Sequence, residues 1–529
     1  MSHKILITDP LAPQGVKRLQ AQPEIAFDVR SGLTGEELVQ LIPAYHGLII
    51  RSGTQVTADI INAAQTLKVI GRAGIGVDNI DVEAATKRGI IVMNTPGGNN
   101  VTTAEHTVTL LLALARNIPQ ATASLKAGHW KRASFTGTEV CNKVLGIVGL
   151  GNIGTIVAER ALGLRMRVLA FDPFITPAAA AKINVELASL DELYSQADFI
   201  TVHTPLTKKT RGLINAAAFD KMKASVRIIN CARGGIVDED ALLNALQSGK
   251  VAGAALDVFT EEPPPADYPL LQLDTVICTP HLGAATDEAQ INVAVAIADQ
   301  VSLFLQDGVI QNAINFPALN QKLLTILEPY LVLGEKLGSF LAQITPEAPL
   351  EVHIEYNGEI TEYAVAPATA AVLRGVLSPV LEQTINYVNA PLIARERGIR
   401  VVESRSSTPS DFLNSVTVSL HAKNSVNTVT GAVFSNKAVR LVCVNNFHLE
   451  AVPDGTILML TNQDVPGVVG MVGALLAKLD INIAGLELGR ERIGGQAISL
   501  IHVDDQVSPE VLTELRKLAP VLSAQVIRL

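Results

Sequence analysis

Three side chains suited to proton transfer and anion binding follow predicted strands in the middle of this chain. Arg233 lies in the motif Asn-Cys-Ala-Arg-Gly-Gly, Glu262 in Phe-Thr-Glu-Glu-Pro-Pro, and His281 in Thr-Pro-His-Leu-Gly. An arginine fork binds a carboxylate through two hydrogen bonds, and histidine titrates near neutrality, so it can act as base or acid. A carboxylate beside the histidine fixes its tautomer and stabilises its protonated form. The oxidation of a 2-hydroxy acid requires these residue types.

Each of the three residues also has a purely structural interpretation. Arg233 could cap a loop, Glu262 could be solvated, and His281 could hydrogen-bond within a turn. Their shared position after strand ends in one predicted sheet favours a site, because α/β sheets bind ligands at the carboxyl ends of their strands. Glu261 is a rival of Glu262 for the carboxylate role.

A glycine-rich loop upstream predicts the hydride acceptor. Residues 145–148 form a short apolar run typical of a buried parallel strand, and Gly149, Gly151 and Gly154 follow it in the spacing G-x-G-x-x-G. The glycines allow a tight turn, close approach of backbone to a pyrophosphate, and helix–strand contact. Asp172 ends the next strand at about the 20-residue distance expected for a ribose ligand. No Arg or Lys lies within residues 173–176, so the sequence predicts NAD rather than NADP.

Composition bounds the class of protein. The chain has 529 residues, of which 48% are hydrophobic and 18% charged, with a net charge of −9. Three or four domains are expected, and nucleic acid is an unfavourable partner for this charge. The four cysteines have no metal or disulfide spacing, which is typical of a reducing compartment. The longest apolar run, residues 108–115, is too short to span a membrane. With no signal-like N-terminus, a cytoplasmic protein without metal is expected.

Alternating strand and helix patterns predict the domain organisation. The fold class expected is α/β: two doubly wound Rossmann-like domains, an α+β intervening domain, and a βαββαβ unit that resembles the ACT domain. Four buried strands are expected before residue 94 and about six around the glycine loop. A uniformly apolar helix at 102–116 is expected to be buried between domains or subunits. The expected boundaries are 1–97 plus 292–317 for substrate binding, 98–291 for NAD, 318–452, and 453–529.

The chain resembles the D-isomer-specific 2-hydroxyacid dehydrogenase family. The resemblance is carried by Gly-Arg-Ala-Gly-Ile-Gly-Val-Asp-Asn-Ile at 71–80, Asn-Thr-Pro-Gly-Gly-Asn-Asn-Val at 94–101, Val-His-Thr-Pro at 202–205, Ala-Leu-Asp-Val-Phe at 255–259, the glycine loop, and the motifs around Arg233 and His281. It covers residues 1 to about 315 in order, and the later residues are similar to the intervening and ACT domains of the family's long form.

The resemblance implies an activity and a catalytic set. Long-form members oxidise 3-phospho-D-glycerate to 3-phosphooxypyruvate with NAD, the first step of L-serine biosynthesis. Arg233, Glu262 and His281 match the catalytic residues, with His281 the proton donor in the reduction. Glu262, directly before Pro263, fits the family pattern better than Glu261 does.

The resemblance also implies cofactor contacts. Asn152 and Ile153 would contact the phosphates, and Asp172 would contact the ribose. Relatives often carry a hydroxyl residue at the position of Ile75, so a contact of Ile75 with the cofactor would have to come from its backbone. Thr204, Arg233 and His281 are also expected to contact the cofactor, and the residues expected around its nicotinamide side are Cys231, Ala232, Asp257, Gly283 and Ala284.

A substrate with a phosphate and a carboxylate needs cations and N–H donors from the first domain. Arg51 and Arg72 end predicted strands and are the residues expected to bind it, although both could be surface arginines. Backbone N–H groups around Gly74 and Gly76 could cradle the carboxylate. By resemblance, Arg132 in the loop of Trp130 would reach the cleft of a neighbouring subunit.

The last domain carries the expected effector site. Asn462, Asp464 and Asn482 occupy positions that contact serine in relatives, between paired copies of the chain. Asp464 and Asn482 could equally be turn and helix-cap residues. The expected assembly is a homodimer or homotetramer, without nucleic acid or membrane.

Two other functions remain open at this point. One is a 2-hydroxyacid dehydrogenase acting on glyoxylate, hydroxypyruvate or 2-oxoglutarate. The other is a dinucleotide-sensing binding protein on the same fold. Arg51, Arg72 and the ACT-like tail favour the phosphorylated substrate, but fold alone does not decide between these functions.

Overall fold

The first domain is a five-stranded parallel sheet with helices on both faces. The structure, a computed structural model, describes residues 2–381, 384–406, 412–504 and 507–529. The strand order is β2-β1-β3-β4-β5, and all pairs are parallel. The elements are β1 (His3–Ile7), α1 (Pro13–Gln20), β2 (Ile25–Val29), α2 (Gly35–Leu41), β3 (Gly47–Ile50), α3 (Ala58–Ala63), β4 (Val69–Arg72), α4 (Val82–Lys87) and β5 (Ile91–Met93).

The expected count of four strands in this domain was wrong by one. The missed strand, β2, lies at the sheet edge, and only its first residue is buried. Its apolar run is only three residues long and is broken by Asp28, so it lacks the longer apolar stretch typical of a strand buried on both faces.

The second domain is a seven-stranded parallel sheet in the order β12-β11-β10-β9-β6-β7-β8. The chain order reverses between β6 and β9, which is the switch point where open α/β sheets bind ligands. The seventh strand, beyond the six expected, is the two-residue edge strand β8. The elements are α5 (Asn100–Arg116), α6 (Ile118–Lys126), β6 (Val144–Val148), α7 (Asn152–Gly163), β7 (Arg167–Phe171), α8 (Pro177–Lys182), β8 (Glu186–Leu187), α9 (Leu190–Gln196), β9 (Phe199–Val202), α10 (Ala216–Lys221), β10 (Val226–Asn230), α11 (Glu239–Gln247), β11 (Val251–Leu256) and β12 (Val276–Cys278).

A long helix, α12 (Asp287–Asp307), carries the chain back to the first domain. It starts at the side-chain cap Thr286 and ends at Gly308, which has a left-handed φ of 71°. It packs on α1 and on β4. A Cβ atom added at Gly15 would lie 2.6 Å from the Ala294 carbonyl oxygen, so glycine is needed where α1 crosses this helix.

The third domain stacks two helices on one face of a six-stranded mixed sheet, in the order β14-β13-β15-β16-β17-β18. The strand expected at 408–420 begins at Ser415; residues 407–411 lie outside the described residues. The single strand expected at 438–449 is two antiparallel strands joined by a turn, which was not predicted. The elements are α13 (Gln321–Ile344), β13 (Glu351–Asn357), α14 (Ala366–Leu377), α15 (Ala390–Glu396), β14 (Arg400–Ser406), β15 (Ser415–His421), β16 (Val426–Val433), β17 (Val439–Val444) and β18 (Phe447–Ala451).

The last domain is a βαββαβ unit with a four-stranded antiparallel sheet, in the order β20-β21-β19-β22. One face is covered by its own two helices. The other face contributes Ile457, Leu500 and Ile527 to an apolar core that continues through α13 and α12 to Ile5 of the first sheet. The elements are β19 (Thr456–Gln463), α16 (Val468–Lys478), β20 (Ile483–Arg490), β21 (Gln496–Val503), α17 (Pro509–Arg516) and β22 (Val521–Arg528).

A membrane span is not found among the described helices: none combines sufficient length with sufficient hydropathy.

Candidate active site

The three predicted catalytic side chains line one cleft of about 1120 Å³ between the two parallel-sheet domains. Arg233 follows β10, Glu262 lies in the loop after β11, and His281 follows β12. These strands are neighbours in the sheet, so their carboxyl ends bring residues far apart in sequence to one edge. Glu261 is exposed and is not among the residues that line the cleft.

His281 and Glu262 form a hydrogen-bonded pair. The distance from His281 Nδ1 to Glu262 Oε2 is 2.7 Å, and Oε1 of the same carboxylate accepts the Phe259 N–H at 3.0 Å. Since an ionised carboxylate only accepts, the proton lies on Nδ1 and Nε2 remains for the substrate. Burial opposes ionisation of Glu262, but its hydrogen bonds to His281 and Phe259 and the charges of His281 and Arg233 lower its pKa below the usual value.

Asp257 holds the His281 loop from beneath. Its carboxylate is fully buried and accepts the Thr279 hydroxyl at 2.6 Å, the Leu282 N–H at 2.7 Å and the Gly283 N–H at 2.8 Å. It is not among the residues that line the cleft, and its place among the cofactor-binding residues stays a prediction. Burial would raise the pKa of Asp257, but hydrogen bonds from His106, Thr279 and Leu282 lower it.

His106 was missed by sequence reasoning. It lies in α5, and its Nε2 is 3.1 Å from Asp257 Oδ1 and 3.2 Å from the Thr279 hydroxyl. A histidine ring in a helix expected to be buried was the available signal, because buried polar side chains require partners.

Arg233 is fixed at two points of its guanidinium. Its Nε donates to Asp78 Oδ2 at 2.8 Å, and its Nη1 donates to the Ala232 carbonyl at 2.6 Å. Asn230 shapes this loop, because its side chain accepts from the Ala232 N–H and donates to the Arg233 carbonyl. Neither Asp78 nor Asn230 was singled out from the sequence.

Arg51 and Arg72 also line the cleft, at the carboxyl ends of β3 and β4. Arg72 Nε donates to Asn79 Oδ1 at 3.0 Å, and the Asn79 amide donates to the Arg51 carbonyl at 2.7 Å. Burial and the charges of Arg233 and Arg51 lower the pKa of Arg72 to about 10. Arg72 is therefore still a cation at neutral pH, and a bound anion would relieve the repulsion among the three arginines.

The backbone of the loop after Arg72 is accessible to an anion in the cleft. Gly74, Ile75 and Gly76 line the cleft. The Ile75 carbonyl accepts from the Asn94 side chain at 2.6 Å. A Cβ atom at Gly76 would overlap Arg233 Nη2, so this glycine allows the guanidinium to lie directly against the loop.

The glycine loop fits a dinucleotide. Gly151 precedes α7 without a side-chain cap, and a Cβ atom there would meet no heavy atom within 4 Å. The first N–H groups of the helix are therefore open to phosphate. At Gly154, by contrast, a Cβ atom would collide with the Gly149 carbonyl, so glycine is required for helix–strand packing. Asn152 and Ile153 line the cleft as expected from the motif.

Several buried polar atoms on the cleft wall have no hydrogen-bond partner within the described chain. They are Asn99 Oδ1, Asn100 Oδ1, His203 Nδ1 and Thr204 Oγ1. Burial lowers the pKa of His203 to about 4, so the ring is neutral and can accept a hydrogen bond. A polar cofactor would satisfy these atoms, and the wall therefore fits NAD.

The remaining cofactor candidates take different places. Cys231, Ala232, Gly283 and Ala284 line the cleft. Asp172 lies beside the glycine loop, where its carboxylate accepts the N–H groups of Leu150 and Phe174, each at 2.8 Å. Its contact with a ribose stays a prediction.

Arg132 does not line the cleft of its own chain. It lies in an exposed 3₁₀ turn, Arg132–Phe135, next to Trp130, whose side chain is 82% exposed. A role for Arg132 in a neighbouring subunit stays a prediction.

The three effector candidates each have local partners. The Asn462 amide donates to the Gln463 carbonyl at 2.8 Å, Asp464 Oδ2 accepts the Gly494 N–H at 3.1 Å, and the Asn482 amide donates to Asp504 at 2.6 Å. These bonds hold the side chains within the last domain, and serine binding at these residues stays a prediction.

Fold and site together define a class. The chain has a Rossmann-type sheet with a glycine loop at its switch point. An arginine and a His–Glu pair lie at the ends of the last three strands of this sheet. These features together define an NAD-dependent 2-hydroxyacid dehydrogenase. The family model "D-isomer specific 2-hydroxyacid dehydrogenase, NAD binding domain" matches residues 108–283. The models "D-3-phosphoglycerate dehydrogenase intervening domain" and "ACT domain" match residues 326–445 and 456–520.

Full-length relatives specify the family. The D-3-phosphoglycerate dehydrogenase of Methanocaldococcus jannaschii is 44% identical over 99% of this chain and 100% of that protein. The Bacillus subtilis protein of the same name is 42% identical over 99% of each chain. This chain therefore belongs to the D-3-phosphoglycerate dehydrogenase family.

Solved structures resemble the first two domains. A Staphylococcus aureus NAD-dependent formate dehydrogenase in complex with NAD has a TM-score of 0.55 at 31% identity, covering 60% of this chain and 99% of that chain. An Aquifex aeolicus D-lactate dehydrogenase complexed with NAD and lactic acid has a TM-score of 0.54 at 26% identity, covering 59% and 100%.

Proposed function

We propose that this chain oxidises 3-phospho-D-glycerate to 3-phosphooxypyruvate with NAD, the first step of L-serine biosynthesis. The observation that carries the proposal is the convergence of Arg51, Arg72 and Arg233 on a cleft that also holds the His281–Glu262 pair. Three cations match a substrate with a phosphate and a carboxylate, and the His–Glu pair supplies the acid–base function that a dinucleotide-sensing binding protein would not need.

The proposed reaction moves a hydride from substrate C2 and a proton from the substrate hydroxyl. The N-terminus of α7, with Asn152 and Ile153, would hold NAD, which would supply the acceptor for the hydride of substrate C2. His281 Nε2 takes the hydroxyl proton as the C2 carbonyl forms, and Glu262 stabilises the resulting imidazolium through Nδ1. Arg233 binds the carboxylate next to C2 and polarises the reacting oxygen. In the reverse direction, His281 returns the proton.

The first domain would supply specificity. Arg51 and Arg72 stand on the substrate side of the cleft and would bind the phosphate. Charge-assisted hydrogen bonds of this kind contribute about 1.5–3 kcal/mol each. An unphosphorylated acid would leave both cations without these charge-assisted hydrogen bonds.

The deciding experiment compares four 2-oxo acids in NADH oxidation: 3-phosphooxypyruvate, hydroxypyruvate, glyoxylate and 2-oxoglutarate. We expect a large kcat/KM advantage for the phosphorylated acid, and we expect Arg72→Gln to reduce that value by about 10–100-fold while changing the other three little. Arg18→Gln is the control, since Arg18 lies outside the cleft and makes only a 3.8 Å ion pair with Asp299.

Comparable rates on all four acids would retain the dehydrogenase and reject the serine-pathway assignment. Intact NADH binding without turnover of any of them would favour the binding protein.

We also infer a regulated homo-oligomer, dimer or tetramer, of the cytoplasm. Support for pairing comes from the exposed apolar side chains of Val101, Ile118 and Leu125 on α5 and α6. Support for serine as the effector comes from the ACT match and from Asn462, Asp464 and Asn482 as its contacts. Repeating the NADH assay with serine tests this regulation independently of the substrate assignment.

A further inference from the structure

An ion pair across the cleft joins the anion-binding arginine to the opposite domain. Arg233 belongs to the loop after β10 of the second domain, and Asp78 belongs to the loop between β4 and α4 of the first. The Nε–Oδ2 distance is 2.8 Å, and the side chain of Asp78 is 65% exposed. Exposed ion pairs contribute little to folding stability, so the pair calls for an explanation in the site rather than in the fold.

The pair determines which edge of the guanidinium is free. Arginine has five N–H donors in one plane. Asp78 takes Nε and the Ala232 carbonyl takes one proton of Nη1, so the plane cannot rotate. A Cβ atom at Gly76 would overlap Nη2, which places the free Nη2 edge against the backbone expected to cradle a carboxylate.

The loop that carries Asp78 is itself fixed. The Ile80 N–H donates to the Val77 carbonyl at 3.0 Å. Its neighbour Asn79 donates to the carbonyls of Arg51 and Thr54 and accepts from Arg72 Nε. Asp78 therefore lies in a rigid turn. The next residue, Asn79, contacts the guanidinium of Arg72 and the backbone carbonyl of Arg51.

Asp78 is also one of two carboxylates, with Asp9, whose charge acts on Arg72. The charge of Arg233 lowers the pKa of Arg72, and the charge of Asp78 raises it. Asp78 thus balances the repulsion between the arginines, while its bond to Nε leaves the Nη edge to a second carboxylate.

We propose that Asp78 is a positioning residue: it holds Nε of Arg233 from across the cleft, so that the Nη edge faces the substrate carboxylate. Because the two residues belong to different domains, Arg233 is oriented only in the domain arrangement in which the pair forms. The inference rests on the proposed function, since it takes the substrate to be a 2-oxo or 2-hydroxy acid bound by Arg233.

The first test separates the hydrogen bond from mere folding. In the full-length chain, Asp78→Ala should lower kcat/KM in NADH oxidation by about 10–100-fold, the cost of a hydrogen bond to a charged group, and mainly through KM. The Kd of NADH should stay within about twofold. Asp78→Asn, whose amide oxygen still accepts from Nε, should recover most of the loss. Asp191→Ala, which removes the 2.6 Å pair with Lys221 on the second domain, is the matched control.

The second test asks whether Asp78 acts through Arg233. Lysine has no Nε fork, so in an Arg233→Lys background the change Asp78→Ala should add less than about a twofold effect. An unchanged kcat/KM in Asp78→Ala, a loss confined to kcat, equal losses in the Ala and Asn variants, or full additivity with Arg233→Lys would each overturn the proposal.

Failure of the proposed function would be recognised separately. If the wild-type chain reduces no 2-oxo acid, binding of oxamate to the NADH-loaded protein, measured by calorimetry, reads the same carboxylate site. Oxamate binding weakened by Asp78→Ala and recovered by Asp78→Asn would support the positioning role without turnover, and binding unaffected by either change would reject it.

Discussion

At the scale of single residues, the hydrogen-bonded pair of Glu262 and His281 determines the acid–base chemistry. Glu262 and His281 share a 2.7 Å hydrogen bond, and the folded-state pKa of Glu262 lies below its ordinary 4.5. A carboxyl group with a lowered pKa contributes stability that is fully present above about pH 4.5 and is lost as the pH falls through the lower, folded-state value. Protonation of Glu262 therefore does not limit the enzyme at neutral pH, and its own contribution to acid inactivation belongs below pH 4.5.

The variant Glu262→Gln keeps an acceptor for Nδ1 but removes the charge. We expect kcat to fall by about 10²-fold, since acid–base catalysis contributes roughly 10²–10⁴. The upper limb of the NADH-oxidation pH profile should move to lower pH, because the imidazolium loses its counter-charge. Steady-state kinetics from pH 5 to 9 measure both effects, with Glu261→Gln as the adjacent control. A profile that keeps its wild-type midpoint would contradict the role given to Glu262.

At the scale of elements, two loops support each other. Glu239, in the first turn of α11, accepts the Thr260 N–H at 2.7 Å, the Thr260 hydroxyl at 2.8 Å, and the Tyr268 hydroxyl. A Cβ atom at Gly234 would overlap the Phe259 carbonyl. The loop of Arg233 and the loop of Glu262 are therefore in direct contact, and the N-terminus of α11 anchors the loop of Glu262.

The variant Glu239→Ala tests this anchor. It leaves three donors without their acceptor, so we expect the free energy of unfolding to fall by about 1–3 kcal/mol and kcat to fall more than KM rises, because Glu262 loses its support. Glu36→Ala removes an exposed first-turn acid of α2 and should change neither. Urea unfolding and steady-state kinetics are the measurements, and wild-type kcat at reduced stability would confine Glu239 to folding.

Sequence reasoning succeeded where chemistry and periodicity are local. Arg233 and His281 could be placed because short apolar strands precede them. Asp78 could not, because its partner is 155 positions away and meets it only through the packing of two domains. Asp257 shows the same limit, since its hydrogen bonds to the His281 loop join residues 22 and 26 positions apart and could not be read from its own motif.

At the scale of the whole molecule, the third domain contacts the first at the C-terminal end of α4. The Asn386 amide donates to the Gly89 carbonyl at 2.9 Å, the Asn389 amide donates to the Lys87 carbonyl at 3.2 Å, and Lys87 pairs with Glu396 at 3.1 Å. These contacts hold the C-terminal end of α4. The N-terminal end of the same helix follows the turn of Asp78.

The double variant Asn386→Ala, Asn389→Ala should loosen this docking. We expect faster amide hydrogen exchange in residues 82–89, because the carbonyls at the helix end lose their donors, and a loss of about 1–3 kcal/mol in unfolding free energy. Asn424→Ala, which removes contacts with Glu347 within the third domain, is the control. Unchanged protection in 82–89 would show that the third domain does not brace this helix.

The continuous apolar core from Ile5 through α12 and α13 to Ile527 has a thermodynamic consequence. The first, third and fourth domains share one set of buried side chains, whereas the dinucleotide domain has clusters of its own. Heat should therefore melt the chain in two cooperative blocks rather than four. Since a ligand stabilises only the block that binds it, NADH should raise one transition and leave the other near its original temperature. The first and last domains, which lie at opposite ends of the sequence, would then unfold together as a single calorimetric unit.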